Sequence, residues 1–234
     1  MEQERKISFA LSFVAGFIDT SGFIALFGLF TSHVTGNLVL AGASFFDHNN
    51  AGNLSEKLVM LPVFIAGVVF TCYLIQYRKA TLSNLIFTEA ILISCFSIGG
   101  SICCGKTDTP SSTVISLTAS FAIIGMAIQN TYMRKLLNQY TPNTVMTGNF
   151  TQFSIDLFNL SVYFLKKDQQ PDKDAIQPVY NSFKKVVIVL SGFLIGCFLG
   201  ALLVSKIGLL CCLLPAIILL WVREKINSNG LYKV

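Results

Sequence analysis

Residues 8–28 read SFALSFVAGFIDTSGFIALFG, an apolar run broken by one charged side chain, Asp19. About 20 predominantly apolar residues suffice to cross the hydrocarbon core of a bilayer as a helix. A helix satisfies its own backbone hydrogen bonds in lipid, which an isolated strand cannot do. Transmembrane strands are about 10 residues long and alternate apolar with polar positions, and this stretch does not alternate. Residues 8–28 therefore predict a membrane-spanning helix, and the rest of the chain repeats the pattern.

Five further runs have the same character: Leu58 to Tyr77, Asn84 to Cys104, Thr113 to Met133, Val186 to Val204 and Ile207 to Val222. Two moderately apolar stretches, Thr35 to Phe46 and Val145 to Leu165, lie between them. Composition agrees. Of the 234 residues, 53% are hydrophobic and 12% are charged, against about 25% charged in a soluble domain. Mean hydropathy is +0.64. These values exclude a disordered chain and a soluble enzyme core. The expected fold class is all-α integral membrane, one domain over residues 1–234 with about six transmembrane helices. Ser205 and Lys206, the break between the last two runs, predict a tight helical hairpin. Residues 166–185 form the longest polar stretch, and Pro171 and Pro178 argue against a continuous helix there.

Orientation follows from the basic residues. With six spans and the two moderate stretches not crossing, 14 of the 17 Lys and Arg residues fall on the side of the termini. Lys57, Lys106 and Lys206 fall on the other side. Eight spans would divide the same residues 12 to 5. The expectation is cytoplasmic termini, with residues 166–185 a cytoplasmic loop. A formal charge of +5 does not point to nucleic acid, because the basic residues lie between apolar runs and not along one face. The seven cysteines lie in or beside apolar runs without zinc-ligand spacing and read as small hydrophobes. No metal or other cofactor is implied.

Thr35-Gly36-Asn37 recurs as Thr147-Gly148-Asn149. Upstream, Gly16 to Thr20 stands where Gly125 to Asn130 stands in the second half. Downstream, Gly67 and Cys72 match Gly192 and Cys197 at equal spacing. This order implies an internal repeat, about residues 7–105 and 112–223. Three spans per half would invert one half relative to the other, a construction shared with many secondary transporters.

Few residues offer chemistry. Asp19 lies about 16 Å into its span at 1.5 Å per residue, where a charge is costly and marks a functional site by default. No Lys or Arg enters a span to pair with it. It is either a proton or cation site or a carboxyl neutralised by hydroxyls such as Thr20 and Ser21. Glu89 lies near a span end and could snorkel toward Arg78 and Lys79. Asp156, in the second moderate stretch, reads as a solvated carboxylate. Gln129 and Asn130 take the place of Asp19 in the second half, a neutral polar pair. In both Thr-Gly-Asn segments, Gly permits close approach, while Thr and Asn can hydrogen-bond backbone groups at a helix break or a polar solute. His33 and His48 stand alone and read as solvated or packed. Gly99-Gly100 and Gly192, Gly196 and Gly200 read as helix-packing faces. No nucleophile elbow, HExxH, Walker or dinucleotide motif occurs, so no enzyme class has support.

Ala15 to Asp19, Thr35-Gly36-Asn37, Gln129-Asn130 and Thr147-Gly148-Asn149 together make the chain similar to the YoaK family of bacterial membrane proteins, from about Ser8 to Arg223. The resemblance implies a multi-pass bacterial inner-membrane protein and brings no substrate, cofactor or catalytic residue. From the residues themselves the expectation is a transporter or permease-like protein for a small polar solute or ion, with a proton or cation as its candidate coupling ion. Its path would include Asp19, Thr20, Glu89, Gln129, Asn130 and both Thr-Gly-Asn segments. The competing expectation is a membrane scaffold or regulatory subunit that docks partners or anionic headgroups through the loop at 166–185. The sequence leaves homo-oligomerisation open.

Overall fold

The structure, a computed structural model, describes residues 2–44, 54–103, 111–143, 145–165 and 173–228. They form eight α-helices: α1 (Glu2–Ala25), α2 (Val34–Ser44), α3 (Leu54–Tyr77), α4 (Leu82–Cys103), α5 (Ser112–Lys135), α6 (Met146–Leu165), α7 (Lys173–Ile207) and α8 (Leu213–Ser228). A 3-10 turn, Gly208–Cys212, joins α7 to α8. No strand occurs among the described residues. Pro171, His48, Lys106 and Cys104 lie outside them.

Among the described residues, five stretches are long and apolar enough to cross a membrane: α1, Lys57–Tyr77, α4, α5 and the 53-residue Ile176–Ser228. The last folds back on itself. Carbonyls of Phe9, Phe13 and Phe17 on α1 meet Gly192, Gly196 and Gly200 on α7 in that order, so α1 and α7 run parallel. Beyond the 3-10 turn the direction reverses. Ser21 Oγ lies 3.9 Å from Cys211 Sγ, and Gln3 Nε2 donates to the Lys225 carbonyl at 3.1 Å, so α8 runs against α1. The hairpin expected at Ser205-Lys206 is present, but it turns at Gly208, whose φ of +62° suits glycine.

The other directions follow from cross-helix pairs. Arg223 Nε donates to Ser83 Oγ at 3.1 Å, and Ser97 Oγ donates to the Leu209 carbonyl at 2.8 Å, which sets α8 against α4. Tyr132 meets Glu89, and Thr118 meets Gly100, which sets α5 against α4. Thus α1, α4 and α7 run one way, and α5 and α8 the other. Arg5, Arg134, Lys135, Lys185, Arg223 and Lys225 gather at one end of the bundle, as the charge distribution predicts.

α2 has 11 residues, about 16 Å of helix and too short to cross alone. α6 has 20 residues but is not among the stretches apolar enough to cross. Both moderate stretches are helical. α2 packs on α3, and α6 on α7.

α1 sits at the centre, with 72% of its apolar window buried, against 17% for α3. The difference has a steric origin. A Cβ at Gly192 would stand 2.6 Å from the Phe9 carbonyl oxygen, and one at Gly200 2.7 Å from that of Phe17, so only glycine lets the α1 and α7 backbones meet. Gly67, matched to Gly192 in sequence, packs against Ala127 of α5. Gly100 packs on Leu209 and Thr118, whereas Gly99 has open space where its Cβ would be, so only one of that pair serves packing. Val39, Val69, Phe70, Leu117, Phe158 and Phe198 are exposed, and large exposed apolar faces suit lipid.

Pro178 lies inside α7, contrary to the expectation that it would interrupt a helix. It is the sixth residue of the helix that starts at Lys173. Residues of a first turn have no intrahelical acceptor anyway, so a proline one turn further in removes a single bond near an exposed end.

Candidate functional site: a buried carboxylate and its returning loop

α1 ends with Phe27 and Gly28 at φ of 54° and 85°, and the Gly28 N–H bonds the Phe23 carbonyl at 2.8 Å. This left-handed ending turns the chain back along the helix it has just left. Residues 31–33 thereby return to the level of Asp19. The backbone N–H groups of Thr31, Ser32 and His33 donate to Asp19 Oδ1 at 2.9, 2.6 and 3.2 Å. His33 Nδ1 lies 2.6 Å from Asp19 Oδ2. Thr31 Oγ1 also donates to the Ile18 carbonyl at 3.1 Å. Asp19 is 5% exposed.

The carboxylate therefore pins the loop that leads into α2, from another helix. Hydrogen bonds to a charged group contribute on the order of 1.5–3 kcal/mol each, and three on one oxygen offset the cost of burying it. The hydroxyls of Thr20 and Ser21 do not serve Asp19. Ser21 Oγ donates to the Gly200 carbonyl at 3.4 Å, and Thr20 lies beside Cys197. His33, read from sequence as standing alone, is its ionisable partner. With Oδ1 occupied by backbone donors, Oδ2 accepts from the Nδ1–H, and Nε2 is left without a partner among the described residues. The imidazole is 30% exposed, and its ring packs edge-on against Phe193 of α7, centroids 5.6 Å apart. A periodicity argument cannot find this pair, because the loop between its members has no regular period. The signal available was an Asp followed, beyond a Gly28 turn, by the polar run Thr31-Ser32-His33.

The two Thr-Gly-Asn segments open α2 and α6. Asn37 Oδ1 accepts from the Phe30 N–H at 2.8 Å, and Asn37 Nδ2 donates to the Phe30 carbonyl at 2.7 Å. Asn149 Nδ2 donates to the Pro142 carbonyl at 2.6 Å. Each asparagine thus holds the backbone seven residues upstream. Gly36 admits the Phe30 ring, which would stand 2.8 Å from a Cβ there, while Gly148 has only an ordinary contact with Val145. Thr35 and Thr147 are exposed.

The remaining polar residues lie apart. Gln129 Nε2 donates to the Leu11 carbonyl of α1 at 2.9 Å, and its Oε1 has no partner among the described residues. Asn130 Nδ2 donates to the Met126 carbonyl at 2.9 Å on its own helix. Glu89 does not snorkel: it is fully buried and accepts from Tyr132 Oη at 2.8 Å. The antiparallel packing of α4 on α5 turns it inward, away from Arg78 and Lys79. Asp156 is not solvated either. It is 3% exposed and accepts from Gln152 Nε2 at 2.8 Å and from Ser182 Oγ of α7 at 2.7 Å. No group of three or more His, Cys, Asp or Glu side chains is placed to hold a metal among the described residues.

This architecture is that of a multi-pass helical membrane protein with a histidine–carboxylate pair held inside the bundle by a returning loop. The chain belongs to the family described as a protein of unknown function (DUF1275), whose profile matches residues 7–223. It is 26% identical over 168 residues to the UPF0700 transmembrane protein YoaK of Bacillus subtilis (strain 168), covering 71% of this chain and 72% of that protein. The resemblance drawn from the paired motifs is borne out. No solved structure matches the chain.

Proposed function

We propose that this protein passes a small polar solute across the bacterial inner membrane, with the Asp19–His33 pair as its proton site. The observation that carries this reading is the 2.6 Å contact between His33 Nδ1 and Asp19 Oδ2. Asp19 fixes the imidazole by its Nδ1 edge and leaves Nε2 to take up or release a proton. Histidine is the side chain whose unperturbed titration falls near physiological pH. The ring stands against Phe193, within the apolar length of α7, and is partly accessible.

An inverted repeat supports the passage reading. α1 runs against α5 and α4 against α8, and the packing of α1 on α7 has its counterpart in α3 on α5. Asn37 and Asn149 make corresponding bonds at corresponding places. In secondary transporters built this way, sites lie at the repeat interface on interrupted segments. The basic end would be cytoplasmic.

The test is uptake into proteoliposomes of labelled amino acids, monocarboxylates and polyols, with and without a pH gradient. Wild-type uptake should follow the gradient, and Asp19→Asn and His33→Gln should abolish that dependence. Gradient-independent behaviour of all three proteins would remove the coupling role. One observation favours the scaffold reading: four cavities of about 330 to 470 Å³ among the described residues are lined by neither Asp19 nor His33. A protein that moves none of these solutes, yet captures partners that are lost on deleting residues 169–175, would favour that reading.

A further inference from the structure

At the basic end, the start of α1, the loop after α5 and the first half of α7 enclose a cavity of about 370 Å³. That volume is within the range of about 300–1,000 Å³ typical of ligand pockets. Two cations line it from different helices, Arg5 of α1 and Lys185 of α7. Neither has an ion-pair or hydrogen-bond partner among the described residues. Glu4 also lines the cavity and is itself engaged in an interaction.

The neutral lining favours donors. Asn181 Oδ1 already accepts from Gln177 Nε2 at 3.2 Å, which leaves its amide N–H groups available. Thr141 offers a hydroxyl from the α5–α6 loop. Its neighbour Pro142 is the residue whose carbonyl Asn149 holds. The cavity therefore has one wall from the first half of the chain and its other walls from the second. One of those walls is the loop fixed by the second Thr-Gly-Asn segment.

Two cations from different helices against the single carboxylate of Glu4, with amide and hydroxyl donors beside them, match an oxygen-rich anion. We infer that this mouth binds a small oxyanion group, a carboxylate or phosphate, carried by a water-soluble solute or by a lipid headgroup. As a statement about the solute class it rests on the passage reading above, whereas the binding site itself can be tested without transport.

The experiment is titration calorimetry with inorganic phosphate on the full-length protein in phosphatidylcholine nanodiscs, at ionic strength fixed with chloride. A second arm measures thermal stability in nanodiscs with and without phosphatidylglycerol. Phosphate binding by wild type, about tenfold or more weaker in Arg5→Gln/Lys185→Gln, supports a soluble ligand. Absence of phosphate binding, together with a phosphatidylglycerol stabilisation that the double variant loses, supports a headgroup. The charge-preserving Arg5→Lys/Lys185→Arg variant and Lys206→Gln, at the opposite end of α7, should both behave as wild type. A wild type that responds in neither arm, or a double variant indistinguishable from it, overturns the site. Intact binding beside gradient-independent uptake would instead remove only the coupling role.

Discussion

The side-chain amide of Asn37 closes on the backbone of Phe30 from both edges, accepting from its N–H at 2.8 Å and donating to its carbonyl at 2.7 Å. An amide used this way behaves as a rung of sheet inserted into a loop. It satisfies a peptide that the turn out of α1 would otherwise leave open within the bundle. The asparagine in the second half, Asn149, makes one such bond, to Pro142, because a proline has no N–H to offer.

Asn37→Ala should therefore cost more than Asn149→Ala. Two lost bonds at a buried site predict about 2–4 kcal/mol, and one lost bond about 1–2 kcal/mol. Thermal unfolding in a single detergent, followed by circular dichroism, would rank the two variants. Equal losses would mean that the segments are held by packing and not by their amides.

Asp19→Asn should destabilise the protein by about 2–3 kcal/mol, since a neutral acceptor replaces a charged one under three backbone N–H groups. His33→Gln should cost less, because the backbone bonds to Oδ1 persist. Hydrogen exchange of the Thr31, Ser32 and His33 amides gives a direct check. Protection should fall sharply in Asp19→Asn and only slightly in His33→Gln.

The glycine seam between α1 and α7 should be intolerant of a single methyl group. Gly200→Ala places a carbon 2.7 Å from the Phe17 carbonyl oxygen, and such overpacking costs about 1–3 kcal/mol. Gly99→Ala meets open space and should be neutral or slightly stabilising, since alanine is the better helix former by about 1 kcal/mol. Unfolding in mild detergent would compare the two. Matching losses would argue against the α1–α7 approach described above.

Glu89 and Tyr132 form a buried pair whose two members should prove coupled. Tyr132→Phe leaves the carboxyl unsatisfied and should cost about 1–3 kcal/mol. Glu89→Gln keeps an acceptor for the phenol and should cost under about 1.5 kcal/mol. A double-mutant cycle between Glu89→Ala and Tyr132→Phe should return an interaction energy of about 1 kcal/mol. Strict additivity would mean that the 2.8 Å contact contributes nothing.

Much of this architecture was legible in the sequence because lipid imposes a simple rule. Apolar length and scarce charge determined a bundle of long helices, and the spacing of the basic residues placed them at one end of it. Small residues repeated every four positions marked Gly192, Gly196 and Gly200 as a packing face, and the α1 carbonyls do lie against them. The paired Thr-Gly-Asn segments marked the starts of α2 and α6, the two helices outside the regular spans. Asp19 was conspicuous because an acid in an apolar run is rare.

Tertiary structure alone decided what these marks mean. Asp19 meets His33 because two residues in left-handed conformation return the chain along α1, and no hydrophobic period records such a turn. Glu89 faces Tyr132 and not the headgroups because a neighbouring helix fixes its rotation. Asp156 is buried because Ser182 of α7 closes over it. Sequence determines which segments leave water, since that depends on composition summed along the chain. Which polar atoms then find each other depends on distances across the fold, and these exist only once the helices are packed.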